Sequence, residues 1–401
     1  MKETPKIYIA LPVLNELETL PYFINDLLKQ TFQNYNLYIC VNQPEEYSEL
    51  TNKKYIYENN QRTIEYLRRI KDIKIEIIDC SSIGKGWKGK KSGVGWARKI
   101  LMDAINSVAN EKDILLSIDS DTHFNPNYLD SIFYSLQSNK EAIAISVPYY
   151  HELTKDEAAN RAILRYEIYM RYYAINLWRI KSPFNFTALG SAIAFPIWAY
   201  RKIGGISPMK SGEDFYFLQK FCKTGKILNW NSEKVYPAAR FSDRVFFGTG
   251  PAMIKGNNGD WNSYPIYHYS LFDQIEKTYL LLPQLYTKDI ELPISDFLNN
   301  QFNDDKWWLL IRKNYKTQTH FVKACYEKLD GLRILQFLKF SQANIGMNDE
   351  ACLYDFFTKF YPKASFELKL DKNFIFDKLS IIELDSIRNY LVKIEENYQK
   401  N

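Results

Sequence analysis

The sequence predicts an α/β fold with a mostly parallel sheet, followed by a helical C-terminal appendage. From the N-terminus to about residue 250, short apolar runs alternate with segments of helical periodicity, an order typical of parallel sheets flanked by helices. After about residue 270, apolar residues recur at helical spacing instead. We therefore expect an α/β domain over residues 1–250 and a helical region over residues 251–401.

The individual elements follow from the spacing of apolar residues along each segment. The predicted strands and helices of the first part are strands 6–13, 37–41, 73–79 and 114–118 and helices 18–30, 60–70 and 94–109. The predicted helices of the second part are 271–286, 306–340, 349–361 and 379–398. Ligands of such sheets gather beyond the carboxyl ends of the strands, so the polar residues there are the first candidates for a site.

The composition is that of a globular protein. Of 401 residues, 46% are hydrophobic and 25% are charged, and the net charge of +5 does not demand nucleic acid, although it would attract a phosphorylated ligand. Five scattered cysteines argue against a disulfide framework or a zinc site. Since no apolar run reaches the roughly 18 residues of a membrane span, we expect a cytoplasmic protein, with contact at the inner face of a membrane left open.

The run DILLSIDSD ends a predicted buried strand in two aspartates, Asp119 and Asp121. Side chains two residues apart on a strand point the same way, and two carboxylates that face one point repel each other unless a cation lies between them. Such oxygen pairs suit magnesium or manganese. A polar strand end before a turn at Asn125 and Pro126 would leave the same pattern, and this segment alone does not decide between the two.

The segment GKGWKGKKSGVGWARK, residues 84–99, combines glycines with basic residues and contains no acid. Glycines let the backbone approach a phosphate, the basic side chains oppose its charge, and the helix that starts near Val94 adds amide donors. We expect a diphosphate contact here, with Lys91 and Arg98 as candidates. A flexible basic surface loop is the alternative.

The segment KSGEDFYFLQKF, residues 210–221, opens a helix with Glu213 and Asp214. Acids in a first helical turn ordinarily only complement the helix dipole, but an acid that faces a cleft could act as general base towards a hydroxyl. Arg240, in a loop with two glycines, could clamp an anion or form a structural ion pair. A glycine such as Gly190 could serve close packing as well as a ligand.

These segments, in this order, resemble family 2 of the glycosyltransferases, which has the GT-A fold. The resemblance covers residues 5–250 and rests on LPVLNE, SGVGWARK, the DSD triplet and GGISPMKSGEDFYFLQK. It implies a metal-dependent, inverting, hexosyltransferase-like enzyme that moves a sugar from a nucleotide-sugar donor to a hydroxyl of a saccharide or lipid-linked saccharide. GVGWARK and RFSDRVFFGTG are similar to a bacterial subgroup, and the lack of a QxxRW motif indicates a non-processive one, active in cell-surface polysaccharide synthesis.

The resemblance also assigns roles to residues of this chain. Asp214 would be the catalytic base, and Asp119, Asp121 and His268 would bind Mn²⁺ or Mg²⁺. The residues implied in donor binding are Pro12, Asn15, Glu16, Asn42, Asp79, Lys91, Arg98 and Ser120. Those implied in acceptor or phosphate binding are Gly190, Ser191, Glu213, Arg240 and Arg244. The chain departs from many relatives at Asn42, where they carry an aspartate towards the base, so either Asp79 takes that role or the base is not uracil.

Two other functions remain open from the sequence. A nucleotidyltransferase that makes sugar nucleotides would carry a glycine-rich signature directly after the first strand, and LPVLNE has none. A catalytically silent interaction subunit would use the helical region as an interface, but the three aspartates expected in the site are all present. Nucleic-acid binding has little support because the basic cluster is short.

Overall fold

The computed structural model of the protein describes residues 4–89, 91–209, 212–243 and 248–400. Contacts divide the chain into two compact units. The first unit contains residues 1–163 and 186–258, and the helical unit contains residues 164–185 and 259–401. The sequence predicted a boundary at residue 250 and did not indicate that residues 164–185 group with the C-terminal region.

The first unit is built on a seven-stranded sheet and a separate two-stranded one. The strands are β1 (Ile7–Val13), β2 (Tyr35–Asn42), β3 (Ile75–Cys80), β4 (Ile114–Ser117), β5 (Thr122–Phe124), β6 (Ala142–Ser146), β7 (Ile193–Pro196), β8 (Lys226–Leu228) and β9 (Val235–Pro237). The large sheet has the order β3-β2-β1-β4-β7-β6-β8, in which only β7 pairs antiparallel with its neighbours. The predicted α/β class with a mostly parallel sheet is confirmed.

Helices flank this sheet and bury its central strand. The helices up to residue 258 are α1 (Leu20–Leu28), α2 (Lys54–Arg69), α3 (Val94–Val108), α4 (Tyr128–Ser138), α5 (Glu157–Arg179), α6 (Ile197–Lys202), α7 (Glu213–Thr224) and α8 (Thr249–Asn257). All seven residues of β1 are buried, as expected for a parallel strand that is covered on both faces. Helix α5 continues from the first unit into the helical unit after residue 163.

The strand register gathers four carboxyl ends at one edge of the large sheet. Val13 of β1 pairs with Val41 of β2, Asn42 pairs with Cys80 of β3, and Ala10 pairs with Ser117 of β4. The polar segments that follow these strands therefore start at the same edge, where parallel sheets bind their ligands. Those segments begin at Leu14, Gln43, Ser81 and Ile118.

The two-stranded sheet positions a further segment at this edge. Strands β5 and β9 pair antiparallel, with Thr122 opposite Pro237. Directly after this pair, the Ala238 backbone N–H donates to the Asp121 carbonyl oxygen at 3.1 Å. The chain that leaves β9 towards Arg240 is thereby tied to the DSD triplet, an arrangement that no sequence pattern indicated.

The helical unit contains, after α5, the helices α9 (Tyr269–Leu281), α10 (Ser295–Phe302), α11 (Trp308–Asn314), α12 (Gln318–Lys328), α13 (Gly331–Gln342), α14 (Asp349–Phe360), α15 (Lys363–Glu367) and α16 (Ile381–Lys400). The prediction of a single helix over 306–340 was wrong. Thr317 and Asp330 cap the starts of α12 and α13, so three helices occupy this range. None of the helices in the described part of the chain combines the length and the apolar character that a membrane crossing requires.

Candidate functional site

Arg98 of α3 joins three of the segments that the sequence singled out. Its guanidinium donates from Nη2 to Asp119 Oδ1 at 2.8 Å and from Nε to Glu213 Oε1 at 3.0 Å. Its Nη1 donates to the Ser117 hydroxyl at 2.7 Å and to the Gly190 carbonyl oxygen at 2.8 Å. The end of β4, the start of α7 and the loop before β7 are thus fixed to one buried cation.

The position of Arg98 on its helix explains its burial. Gly95, Ala97, Leu101, Met102 and Ile105 form the buried face of α3, and Arg98 lies within that face. A charged side chain is rarely buried unless it is paired, and the Glu213 partner is buried as well. The sequence signal was an arginine at a core-facing position of an apolar helix. Since its donors are engaged within the protein, the structure favours a positioning role over the predicted direct contact with the donor.

Gly190 lies close against this guanidinium. A Cβ at residue 190 would meet Arg98 Nη2 at 2.3 Å, well inside contact distance. Gly190 therefore permits the approach that lets its carbonyl oxygen accept from both Arg98 and Ser117. Ser191 beside it is buried. The predicted acceptor contact of these two residues stays a prediction, and the structure shows a packing reason for the glycine.

Asp214 follows Glu213 in the first turn of α7. Burial raises the pKa of Asp214, the neighbouring Glu213 raises it further, and Arg98 partly offsets both, which leaves the pKa at about 7. The Phe215 backbone N–H donates to Asp214 Oδ1 at 2.8 Å. A carboxylate whose pKa lies near neutral pH is suited to take a proton from a hydroxyl, which is the chemistry expected of a general base.

Arg240 is the second arginine of the site, and it bridges two further carboxylates. Its Nη2 lies 2.5 Å from Asp121 Oδ2 and also contacts Glu16 Oε1. Glu16 is buried in the loop after β1 and accepts from the Thr19 hydroxyl at 2.8 Å. The structure therefore brings together Glu16, Asp121 and Arg240, which the sequence assigned to separate donor, metal and phosphate roles.

A cavity of about 300 Å³ adjoins Arg240 at the carboxyl ends of β1 and β2. Its walls come from the β1 loop, from the segment that leads into α2 and from the segment after β9, and the lining residues are Leu14, Asn15, Tyr47, Lys53, Tyr55, Ile56, Arg240, Phe241, Ser242 and Asp243. Aromatic rings, a lysine and an amide offer stacking and hydrogen bonds to a planar polar ligand. Sequence reasoning missed Tyr47, Lys53 and Tyr55, because no motif marks them.

Asn15 lines the cavity in a left-handed backbone conformation with φ of 58°. Its backbone N–H donates to Asn60 Oδ1 at 2.9 Å. Asn15 does not cap a helix, since α1 begins after Thr19. Asparagine is one of the few residues that tolerate this conformation without a large penalty, which accounts for its presence at the turn.

Asn42 and Asp79 end the next two strands, and both are engaged within the protein. The Asn42 side chain donates to the Val13 carbonyl oxygen at 2.9 Å and accepts from Trp87 Nε1 at 3.1 Å. Burial alone would raise the pKa of Asp79, but hydrogen bonds from Ser82, Ser81 and Lys85 lower the pKa to about 2. Their predicted donor contacts stay predictions, and a ligand would have to replace bonds that already hold the loops.

The remaining candidates are placed as follows. Pro12 is buried within β1, Ser120 is buried between the two aspartates, and Lys91 lies 5.6 Å from the Trp96 ring centre. Arg244 lies outside the described residues. His268 belongs to the helical unit, where Nδ1 caps α9 through Ser270 and Nε2 lies 3.8 Å from Asp355 Oδ2. Its role as metal ligand stays a prediction.

The site contains four carboxylates that contact guanidiniums. Among the described residues, Arg98 pairs with Asp119 and Glu213, and Arg240 pairs with Asp121 and Glu16. No cluster of three metal-binding side chains occurs in that part of the chain. Magnesium is commonly held by one or two carboxylates together with substrate phosphates, so the pair Asp119 and Asp121 suits a cation that arrives with a diphosphate.

Residues 114–253 match the model of a family described as glycosyl transferase family group 2. The match spans the DSD triplet, the Glu213–Asp214 pair and Arg240. The resemblance predicted from the motifs is thereby confirmed, and the chain contains a glycosyltransferase domain. A comparison with curated proteins found no match.

Solved structures of glycosyltransferases are also similar to the chain, at low identity. TarS residues 1–349 from S. aureus, in complex with UDP-GlcNAc, is 12% identical with a TM-score of 0.39, over 98% of this chain and 92% of that chain. The mannosyltransferase PcManGT from Pyrobaculum calidifontis, in complex with GDP-Man and Mn²⁺, is 11% identical with a TM-score of 0.38, over 98% of this chain and 88% of that chain. Structural similarity at this level supports no conclusion about function. The function proposed below depends on the family match and on the side chains of the site.

Proposed function

We propose that this protein transfers a sugar from a nucleotide-diphosphate sugar to a hydroxyl of an acceptor glycan, with inversion at the anomeric carbon. The observation that carries the proposal is the buried Arg98, which holds the Asp119 strand end and the Glu213–Asp214 helix start to one point. Both segments lie within the part of the chain that matches the glycosyltransferase family. A metal-binding carboxylate and a candidate base are thus fixed relative to each other before any ligand binds.

Asp214 is proposed to accept the proton of the acceptor hydroxyl. Its pKa of about 7 lets a large fraction be ionised at neutral pH and still makes it a stronger base than an ordinary aspartate. Glu213, which remains paired with Arg98, keeps that pKa high through its negative charge. Attack by the hydroxyl from the face opposite the leaving diphosphate would invert the anomeric centre.

The leaving group is proposed to lie between the DSD triplet and the Lys-rich loop. Asp119 and Asp121 would hold Mn²⁺ or Mg²⁺, which when bound neutralises the charge that develops on the diphosphate. Lys91 and Arg240 are the cations of this chain that would add to that stabilisation. The cavity lined by Asn15, Tyr47 and Tyr55 would take the nucleoside.

The biological setting follows from the same proposal. The acceptor is proposed to be a saccharide or lipid-linked saccharide in cell-surface polysaccharide synthesis, made on the cytoplasmic side with peripheral membrane contact. This setting derives from the resemblance of the motifs.

Turnover with a panel of nucleotide sugars tests the proposal. Release of the nucleoside diphosphate would be measured with Mn²⁺, with Mg²⁺ and with EDTA, for the wild type, Asp214→Asn and Asp72→Asn. Asp72 is exposed on the loop before β3, so its substitution makes the same chemical change away from the site. General bases contribute about 10²–10⁴-fold to rate, and we expect a loss in that range for Asp214→Asn alone.

The pH dependence of turnover adds an independent check on the base. In the wild type, kcat/KM should rise with pH up to about 7 and then level off, because ionised Asp214 is the active form. Equal turnover in Asp214→Asn and Asp72→Asn would refute the assignment of the base. Absence of turnover with every donor, together with absence of nucleotide binding, would favour a silent interaction subunit.

A further inference from the structure

Arg240 contacts one of the two carboxylates that are proposed to bind the divalent cation. One atom, Nη2, contacts carboxylate oxygens of both Glu16 and Asp121, so the Arg240 guanidinium joins the β1 loop to the DSD triplet. Asp121 is also one of the two proposed metal-binding carboxylates. A cation that coordinates Asp121 would meet the guanidinium at this oxygen, and two positive charges at one carboxylate oxygen repel each other.

Another donor of Arg240, its Nε atom, indicates that this side chain can bind in a second position. Its Nε is buried and has no hydrogen-bond partner within the described residues. Buried polar groups of this kind are costly and usually have a partner, and a ligand oxygen would supply one. Arg240 also lines the cavity beside Ser242 and Asp243. Arg240 therefore already adjoins the volume proposed to receive the nucleotide.

The exposure and the hydrogen bonding of Arg240 distinguish it from Arg98. The Arg98 side chain is 5% exposed and four of its hydrogen bonds hold the protein together, whereas the Arg240 side chain is 33% exposed. A long side chain at the edge of a cavity can change rotamer without unpacking the core. Arginine is also the side chain whose planar fork matches phosphate oxygens.

We propose that Arg240 is a positioning residue that competes with the divalent cation for Asp121 and moves to the donor diphosphate when the cation binds. Without ligand it holds Glu16 and Asp121 together. With the donor and the cation bound, Asp121 turns to the cation and the guanidinium contacts phosphate oxygens. Arg240 therefore weakens binding of the cation alone and strengthens binding of the cation and nucleotide together. This inference rests on the proposed function.

Metal and nucleotide binding can be measured separately to test this competition. Binding of Mn²⁺ alone would be followed by electron paramagnetic resonance of the free ion, and binding of UDP and GDP by calorimetry at saturating Mn²⁺. The variants are Arg240→Gln, Arg240→Lys and, as a matched control, Arg62→Gln on the exposed face of α2. We expect Arg240→Gln to bind Mn²⁺ alone about tenfold more tightly and the nucleoside diphosphate about tenfold more weakly, each change corresponding to one decade in Kd.

The second variant keeps the test independent of folding. Arg240→Lys retains a positive charge without the planar fork, so its Mn²⁺ affinity should lie between those of the wild type and Arg240→Gln. Unchanged or weaker Mn²⁺ binding in Arg240→Gln, with nucleotide binding intact in the wild type, would overturn the competition alone. Equal nucleotide affinity with and without Mn²⁺ would also overturn the proposed competition, since Arg240 would then take the place of the cation. A wild type that binds neither Mn²⁺ nor nucleotide would overturn the proposed function as well.

Discussion

Arg98 Nε donates to Glu213 Oε1 at 3.0 Å, and both side chains are almost completely buried. The two residues are 115 positions apart in the chain, so this ion pair fixes α3 to the start of α7. The same guanidinium binds Asp119, so the carboxylates with separate proposed roles depend on one cation. A buried ion pair of this kind adds little net stability to the folded state. The loss of one partner, however, is strongly destabilising because it leaves a buried charge unpaired.

Removal of Arg98 should therefore destabilise the first unit. Arg98→Ala leaves Glu213 buried without its partner, and we expect the free energy of unfolding to fall by about 3–5 kcal/mol, as for other broken buried pairs. Urea unfolding would measure the change, with Arg62→Ala as the control at an exposed arginine. A loss below about 1 kcal/mol, as at an exposed pair, would show that the Arg98 contacts do not hold these segments together.

Gly190→Ala should perturb the site through sterics rather than charge. The new Cβ would lie 2.3 Å from Arg98 Nη2, so either the guanidinium or the loop before β7 has to move. Overpacking of this kind typically costs about 1–3 kcal/mol. A double-mutant cycle of Gly190→Ala with Arg98→Ala would isolate the clash, because the alanine methyl group should cost much less once the guanidinium is gone. Additive effects of the two substitutions would contradict this explanation.

The raised pKa of Asp214 predicts a particular pH dependence of stability. Between its ordinary value near 3.8 and about 7, the folded state binds the proton more strongly than the unfolded state. The contribution of Asp214 to stability is therefore fully present below the ordinary value and is lost as the pH rises towards 7. The stability of wild type relative to Asp214→Asn should fall by more than about 1 kcal/mol between pH 5 and pH 8.

Urea unfolding of both proteins at the two pH values measures this difference and cancels the titration of other groups. Asp72→Asn serves again as the control, since its side chain is exposed and should leave the pH dependence unchanged. A difference between wild type and Asp214→Asn that is the same at pH 5 and pH 8 would mean that Asp214 titrates at its ordinary pKa.

Asn15 offers a test of the cavity wall. Its φ of 58° is accessible to glycine and asparagine, but costs about 1–2 kcal/mol for most other residues. Asn15→Gly should keep the backbone and remove only the side chain, whereas Asn15→Ala should add this strain. We expect lower stability in Asn15→Ala than in Asn15→Gly by thermal unfolding. Equal stability of the two variants would argue against a strained turn at the cavity.

The sequence predicted the parallel part of the sheet well because its strands carry strong local signals. The runs at 6–13 and 114–118 are apolar, short and followed at once by polar residues, and the observed strands β1 and β4 differ from them by only one residue at an end. Strand β7 was missed, because the surrounding segment from Thr187 to Ile203 is broken by glycine and proline. Its antiparallel insertion between β4 and β6 is a long-range pairing that no local pattern encodes.

The candidate site shows the same division between local and long-range information. The DSD triplet and the Glu213–Asp214 pair could be identified from residue type and position at element ends. The sequence could not show that Arg98 binds protein groups in three segments or that Arg240 bridges Glu16 and Asp121, because these contacts depend on tertiary structure. Tyr47 lines the cavity from the segment between β2 and α2, and Tyr55 lines it from the first turn of α2.

Calorimetric titration tests the claim that Asp119 and Asp121 hold a divalent cation against a nucleoside diphosphate. UDP and GDP would be titrated into the wild type, Asp121→Asn and Asp72→Asn, each with Mn²⁺ and with EDTA. We predict that one nucleotide binds the wild type and Asp72→Asn with Mn²⁺, and that EDTA or Asp121→Asn weakens binding about 100-fold, or about 2.7 kcal/mol. Equal affinity in all three proteins, or affinity that ignores Mn²⁺, would contradict the claim.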